Sequence, residues 1–108
     1  MVEYMEVRTT IPNMELAKEI SRKAVESRLS ACSQVVPIHS YYHWKGGMEE
    51  EDEVLISMKT TSQRYKDLVS MIKEMHPYDV PEIWIIRGME GSKDYLAWIS
   101  DATDPNRS

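Results

Sequence analysis

Two extended stretches facing each other across a pair of glycines constrain this chain more than any other feature. Ala31 to Trp44 carries Val35, Val36, Ile38, Tyr41 and Tyr42, and Met48 to Thr60 carries Val54, Ile56 and Met58 on one face. β-Branched and aromatic side chains of this kind suit a pleated surface. Gly46-Gly47 between them supplies a turn that tolerates positive φ, so the two stretches predict a hairpin. As continuous strands they run to 14 and 13 residues, whereas an ordinary strand has ~5–6. A hairpin of that length dictates what the remaining residues must do.

The remainder is short. Tyr4 to Thr10 alternates Met5, Val7 and Thr9 against Glu6 and Arg8, the period of a strand. Pro12 and Asn13 break it, and the Asn13 side-chain oxygen suits the N-cap of a helix over Met14 to Ser27. Leu16, Ala17, Ile20, Ala24 and Val25 share one face of that helix. Ser62 offers a second N-cap, and Tyr65, Leu68, Val69, Ile72 and His76 recur at helical spacing until Pro77 stops them. Ile83 to Arg87 reads as a fourth strand and Asp94 to Ala102 as a terminal helix. The order β-α-β-β-α-β-α predicts an α+β, ferredoxin-like split βαβ fold with an antiparallel sheet. One domain over 1–104 is expected, with 105–108 a disordered tail.

Two helices cannot cover so long a hairpin. Its tip would leave Tyr41, Tyr42, His43 and Trp44 as exposed aromatic surface beside an unpaired edge. Pairing with further copies in a closed ring removes such edges without making filaments, so an oligomer is expected. A net charge of −5 over 108 residues argues against nucleic acid and anionic lipid as partners. No apolar run approaches the ~18 residues of a membrane span. One cysteine makes neither an intrachain disulfide nor a Cys-only zinc site. With no basic, apolar leader at Met1 to Tyr4, a cytoplasmic location is expected.

Candidate functional residues are few, because no Gly-rich phosphate loop, nucleophile elbow, H-E-x-x-H or C-x-x-C is present. His39 and His43 share a strand face ~13 Å apart, too far to chelate one ion within one chain. His43 would face Glu50 across a Gly46-Gly47 turn or Met48 across a Lys45-Gly46 turn. Both pairings keep the same faces. Cys32 reads as a small buried hydrophobe, or as a soft thiolate ligand for copper. Met71 and Met75, one helical turn apart, read as core filler. The acidic run Glu49 to Glu53 alternates faces and reads as a solvated arm. The strongest candidate is His76-Pro77-Tyr78-Asp79-Val80-Pro81-Glu82, where two prolines stiffen a loop rich in functional side chains.

Taken in order, Arg28-Leu29-Ser30-Ala31-Cys32, Tyr42-His43-Trp44-Lys45-Gly46, the acidic run, Lys59-Thr60, the His76 to Glu82 block and Tyr95-Leu96-Ala97-Trp98 resemble the CutA divalent-cation tolerance family from about Glu6 to Thr103. The resemblance implies a homotrimer with interlocked hairpins, in assembly similar to the PII signalling proteins. It implies no enzyme and no obligatory cofactor, but affinity for a divalent cation, Cu(II) favoured. His76, Cys32 and Glu82 are then the candidate metal ligands. Trp44, Lys59 and Tyr78 are candidates for a small ligand in a cleft between subunits, the alternative being a PII-like signalling module. The family's copper ligands are attributed to a cysteine in the first strand and a His-His pair. This sequence has Thr9 and Met75 there, leaving His76 alone.

Overall fold

The computed structural model describes residues 2–107. The elements follow the expected order: β1 (Tyr4–Ile11), α1 (Met14–Glu26), β2 (Cys32–Trp44), β3 (Gly47–Thr61), α2 (Tyr65–Met75), β4 (Ile83–Ile86) and α3 (Lys93–Ala102). The four strands form one antiparallel sheet in the order β2-β3-β1-β4, the ferredoxin-like arrangement. One face carries α1 and α2. Val7, Ile11, Ile56 and Met58 from the sheet meet Ala17, Ile20 and Ala24 of α1 and Leu68 and Ile72 of α2 in a single buried core.

Local chemistry explains the element ends. Asn13 Oδ1 accepts from the Leu16 amide at 2.8 Å, as expected of the N-cap. At the other end of α1, Arg28 takes a left-handed φ of 61°. That lets Leu29 donate to the Ala24 carbonyl and Arg28 to that of Val25, the double bond of a Schellman ending. A non-glycine residue in this region costs about 1–2 kcal/mol. The Arg28 guanidinium offsets some of it by donating to Ala102 O at the end of α3, 2.9 Å away. Ser62 does not cap α2. Its hydroxyl is taken by the Glu3 amide at 2.9 Å, and α2 starts at Arg64 without a side-chain cap. His76 turns extended, with ψ 130°, because Pro77 follows it.

The hairpin outruns its sheet. β3 pairs with β1 only from Val54, opposite Ile11, to Thr61, opposite Tyr4. It pairs with β2 all the way to Gly47, opposite Trp44. From Ile38 to Glu53 the chain is therefore a two-stranded arm with no third strand. The turn is Lys45-Gly46, not Gly46-Gly47, and His43 faces Met48. Both central residues have positive φ, 49° and 79°, the mirror-image turn whose twist matches that of the strands.

The second face of the sheet is only partly covered. α3 packs over its base, where Tyr4 and Ser100 hydroxyls meet at 2.7 Å and Ile99 is buried. Beyond α3 this face leaves Val36 49% and Trp84 60% exposed, and β2 and β4 are both free edges. The segment after α3 makes a turn closed by Arg107 N to Asp104 O, with the Arg107 guanidinium on Asp101. Ser108 lies outside the described residues.

Two substitutions separate arm from core. Gly46→Ala meets nothing within 4 Å, so its cost is backbone strain alone, about 1–2 kcal/mol, expressed as faster amide exchange at the arm tip. Ile56→Ala, at a fully buried position, lowers global stability by about 2–5 kcal/mol in denaturant unfolding.

Candidate functional site

The block from His76 to Glu82 leaves α2, crosses the end of β1 and enters β4, so it is held at both ends. Within it the His76 ring is fully occupied. Nε2 lies 2.9 Å from Thr10 O and Nδ1 lies 3.2 Å from the Tyr78 amide nitrogen. A carbonyl accepts and an amide donates, so the ring is the neutral tautomer with its proton on Nε2. Burial lowers the His76 pKa, against the opposing influence of the Thr10 carbonyl and Glu53. That burial outweighs the pull a helix C-terminus exerts toward a charged imidazole. His76 is an anchor that pins the loop to β1.

Pinned there, the loop closes one side of a cleft of about 680 Å³. The other side is the arm. Tyr42, Trp44, Glu51 and Glu53 line it together with Tyr78, Asp79 and Glu82 from the loop. The Tyr78 hydroxyl donates to Glu53 Oε2 at 3.0 Å. Burial, reinforced by the Glu53 carboxylate, pushes the Tyr78 pKa far up, so it stays a donor. Burial, and after it the neighbouring Glu51, also raises the Tyr42 pKa. Glu82 sits at the rim and accepts from Trp84 Nε1 at 3.0 Å.

The remaining sequence candidates lie elsewhere. Cys32 and Lys59 face each other across β2 and β3 at the base of the hairpin, away from the cleft lining. The Lys59 ammonium donates to Ser57 Oγ at 2.8 Å and Gln34 Oε1 at 3.1 Å. It helps compensate Glu6, which is only 3% exposed and which Arg8 and Ser57 also bind. Burial alone would push the Glu6 carboxyl up. Those hydrogen bonds and the Lys59 charge bring it below its ordinary value. Cys32 is half-buried beside the Tyr95 hydroxyl of α3. Of the methionine pair, Met71 is core and Met75 packs against it. Thus Trp44, Tyr78 and Glu82 share one cleft, His76 supports it, and Cys32 and Lys59 stand apart. Among the described residues no three His, Cys, Asp or Glu side chains converge as a metal group.

Glu51, Glu53 and Tyr42 line the cleft, yet the sequence reading treats the acidic run only as solvated surface. The signal was available in the alternation, because Glu49, Glu51 and Glu53 share a strand face with Tyr42 and Trp44. The other face of the arm carries a second cluster. His39 Nδ1 lies 2.7 Å from Asp52 Oδ1 and Nε2 lies 2.7 Å from Glu50 Oε1. Tyr41 stacks edge-on against the ring at 5.1 Å. Hydrogen bonds to Glu50 and then Asp52 raise the His39 pKa.

A split βαβ sheet with an overlong β2–β3 arm and a proline-stiffened loop against it defines the class of protein. The comparisons with known proteins agree. The model of the CutA1 divalent ion tolerance protein family matches residues 5–102. The divalent-cation tolerance protein CutA of Thermus thermophilus is 40% identical over 98 residues, which is 90% of this chain and 95% of that protein. Mouse protein CutA is 42% identical over 96 residues, 88% of this chain but 54% of that longer protein. Among solved structures, the periplasmic divalent cation tolerance protein CutA from Archaeoglobus fulgidus superposes with a TM-score of 0.88 at 31% identity, covering 96% of this chain and all of that one. The chain belongs to the CutA1 divalent ion tolerance family. No helix among the described residues is long and apolar enough to cross a membrane.

The two histidines respond to pH in opposite senses. For His39 the pKa is raised above 6.5, so its contribution is complete below that value and is lost as pH rises through the folded pKa. For His76 the pKa is lowered below 6.5, so its contribution is complete above that value and is lost as pH falls through the folded pKa. Imidazole resonances followed by NMR across pH 4–9 (a range of about five units) place His39 above and His76 below 6.5. Glu50→Gln brings His39 back toward it.

Proposed function

We propose that this chain acts in the cytoplasm as a homotrimeric divalent-cation tolerance protein that works by binding rather than catalysis. The observation that carries the assembly is the arm from Ile38 to Glu53, a two-stranded ribbon outside the sheet with Trp44 46% exposed at its tip. Free edges at β2 and β4 and the open face around Val36 and Trp84 supply matching surfaces. Burying them between three copies in a closed ring satisfies all of them at once.

In this reading the bound cation is divalent, with Cu(II) favoured by the general affinity order. Glu82 is its carboxylate ligand at the rim of the cleft. His76 joins only by giving up the Thr10 carbonyl, and Cys32 only when a neighbouring copy brings it to the cleft. Such a site is modest in affinity. The names carried by the Thermus thermophilus and Archaeoglobus fulgidus proteins, which refer to divalent cation tolerance, support this reading.

A second reading, a PII-like module that signals the presence of a small ligand, is favoured by one observation. Trp44 and Tyr78, picked out as ligand contacts, line a single cleft large enough for a metabolite. Lys59 is engaged with Gln34 and Ser57 and takes no part from within the same chain.

Sedimentation equilibrium is expected to give three times the 12.6 kDa chain mass. A monomer would remove the assembly. Calorimetry of the metal-stripped protein is expected to show weak saturable Cu(II) binding that Glu82→Gln diminishes. Binding unchanged by both Glu82→Gln and His76→Ala would remove the metal site.

A further inference from the structure

The open face of the sheet carries a charge imbalance that a single copy leaves standing. Leu55 stands opposite Thr10, Ser57 opposite Arg8 and Lys59 opposite Glu6, so these pairs form successive rows across β3 and β1. In the last two rows two cations serve one carboxylate. Arg8 Nε and the Ser57 hydroxyl bind the buried Glu6, and Lys59 lies close by. The Lys59 ammonium is itself occupied with Ser57 and Gln34. Arg8 is not. Its side chain is 45% exposed, and among the described residues its two terminal nitrogens, Nη1 and Nη2, make no hydrogen bond.

Glu53, on the same face where the arm leaves the sheet, has the opposite imbalance. It is 7% exposed and accepts one hydrogen bond, from the Tyr78 hydroxyl. Among the described residues no Lys, Arg or His side-chain nitrogen comes within 4.0 Å of it. His76 is held neutral by its two hydrogen bonds. A buried carboxylate without a cation carries an uncompensated desolvation cost. Arg8 of the same copy does not remove it. Arg8 stands opposite Ser57, four residues from Glu53 along β3, a separation of ~13 Å by strand rise. The Leu55–Thr10 row lies between, and the Arg8 guanidinium is tied to Glu6.

A closed ring that covers the open faces brings the two imbalances together. Sheets stacked face to face lie ~10 Å apart, a gap that an arginine and a glutamate span from opposite sides. A guanidinium already fixed at Nε presents its Nη pair in one direction, the geometry that suits a carboxylate. We propose that in the assembled protein Glu53 is neutralised by Arg8 of a neighbouring copy. Each arm-and-loop site is then complete only between two copies, and a charge chain Glu6–Arg8–Glu53 runs from the sheet of one into the arm of the next. The inference rests on the trimer proposed above and names the contact that orients each arm within it.

Sedimentation equilibrium of the full chain is the test. A monomeric wild type removes the trimer and this contact with it. In a trimer, Arg8→Glu and Glu53→Lys each set like charges against each other at every contact. Each is expected to raise the concentration for half-assembly at least about tenfold. Mixed in equal amounts, the two variants are expected to assemble again, because a ring of two chains of one kind and one of the other has opposite charges at two of its three contacts. Should Glu53→Lys not fold, Arg8→Gln, Glu53→Gln and the double variant are compared by thermal unfolding of the trimer. The double variant is expected to melt no lower than the worse single one, whereas positions more than ~7–10 Å apart in one copy would add. Charge reversals that leave assembly unchanged or that mixing does not rescue, or additive melting shifts, overturn the contact and leave the trimer standing.

Discussion

Beyond Val54 the hairpin has no third strand, and most of the molecule follows from that. A sheet of four strands with two helices on one face is complete in itself, and its core is closed by Val7, Ile56, Ile20 and Ile72. The arm adds nothing to that core. What it adds is a wall set against the loop from Pro77 to Glu82, and the cleft exists because the arm projects past the end of β1. Remove the projection and the loop would face solvent. The site is therefore built from a part of the chain that the core does not need.

The loop is the fixed wall and the arm the variable one. His76 gives both ring nitrogens to the backbone, one to Thr10 and one to Tyr78. Pro77 and Pro81 limit what the intervening residues can do. The arm is held by a ladder between two strands and by a tight turn. Across the gap the Tyr78 hydroxyl on Glu53 ties the two walls.

Element order and fold class were legible in the sequence because the signals were local: alternation in Met5 to Thr9, helical spacing from Leu16 to Val25, and prolines at the ends. The errors were local competitions that another group won. Ser62 was claimed by the Glu3 amide before it could cap α2. The turn moved to Lys45-Gly46 because positive φ is needed at both central residues, and lysine accepts it to keep the strand twist. The site was half legible. Trp44, Tyr78 and Glu82, which the family resemblance pointed to, line one cleft, whereas the burial of Glu53 depends on the loop folding over it, which no spacing reveals. Within one copy Lys59 stands apart from the cleft because it lies opposite Glu6, far from it in sequence, across β1 and β3.

The two-residue turn has a consequence for how this chain can change. Each step outward along the arm adds one residue to both strands, and the side chains swap faces at every step. Deleting or inserting two residues on each side of Lys45-Gly46 therefore returns every remaining side chain to its own face and leaves the sheet untouched. A one-residue change on each side would present the turn from the opposite face. Arm length is thus quantised in pairs, an adjustable reach that natural variation can tune without renegotiating the core.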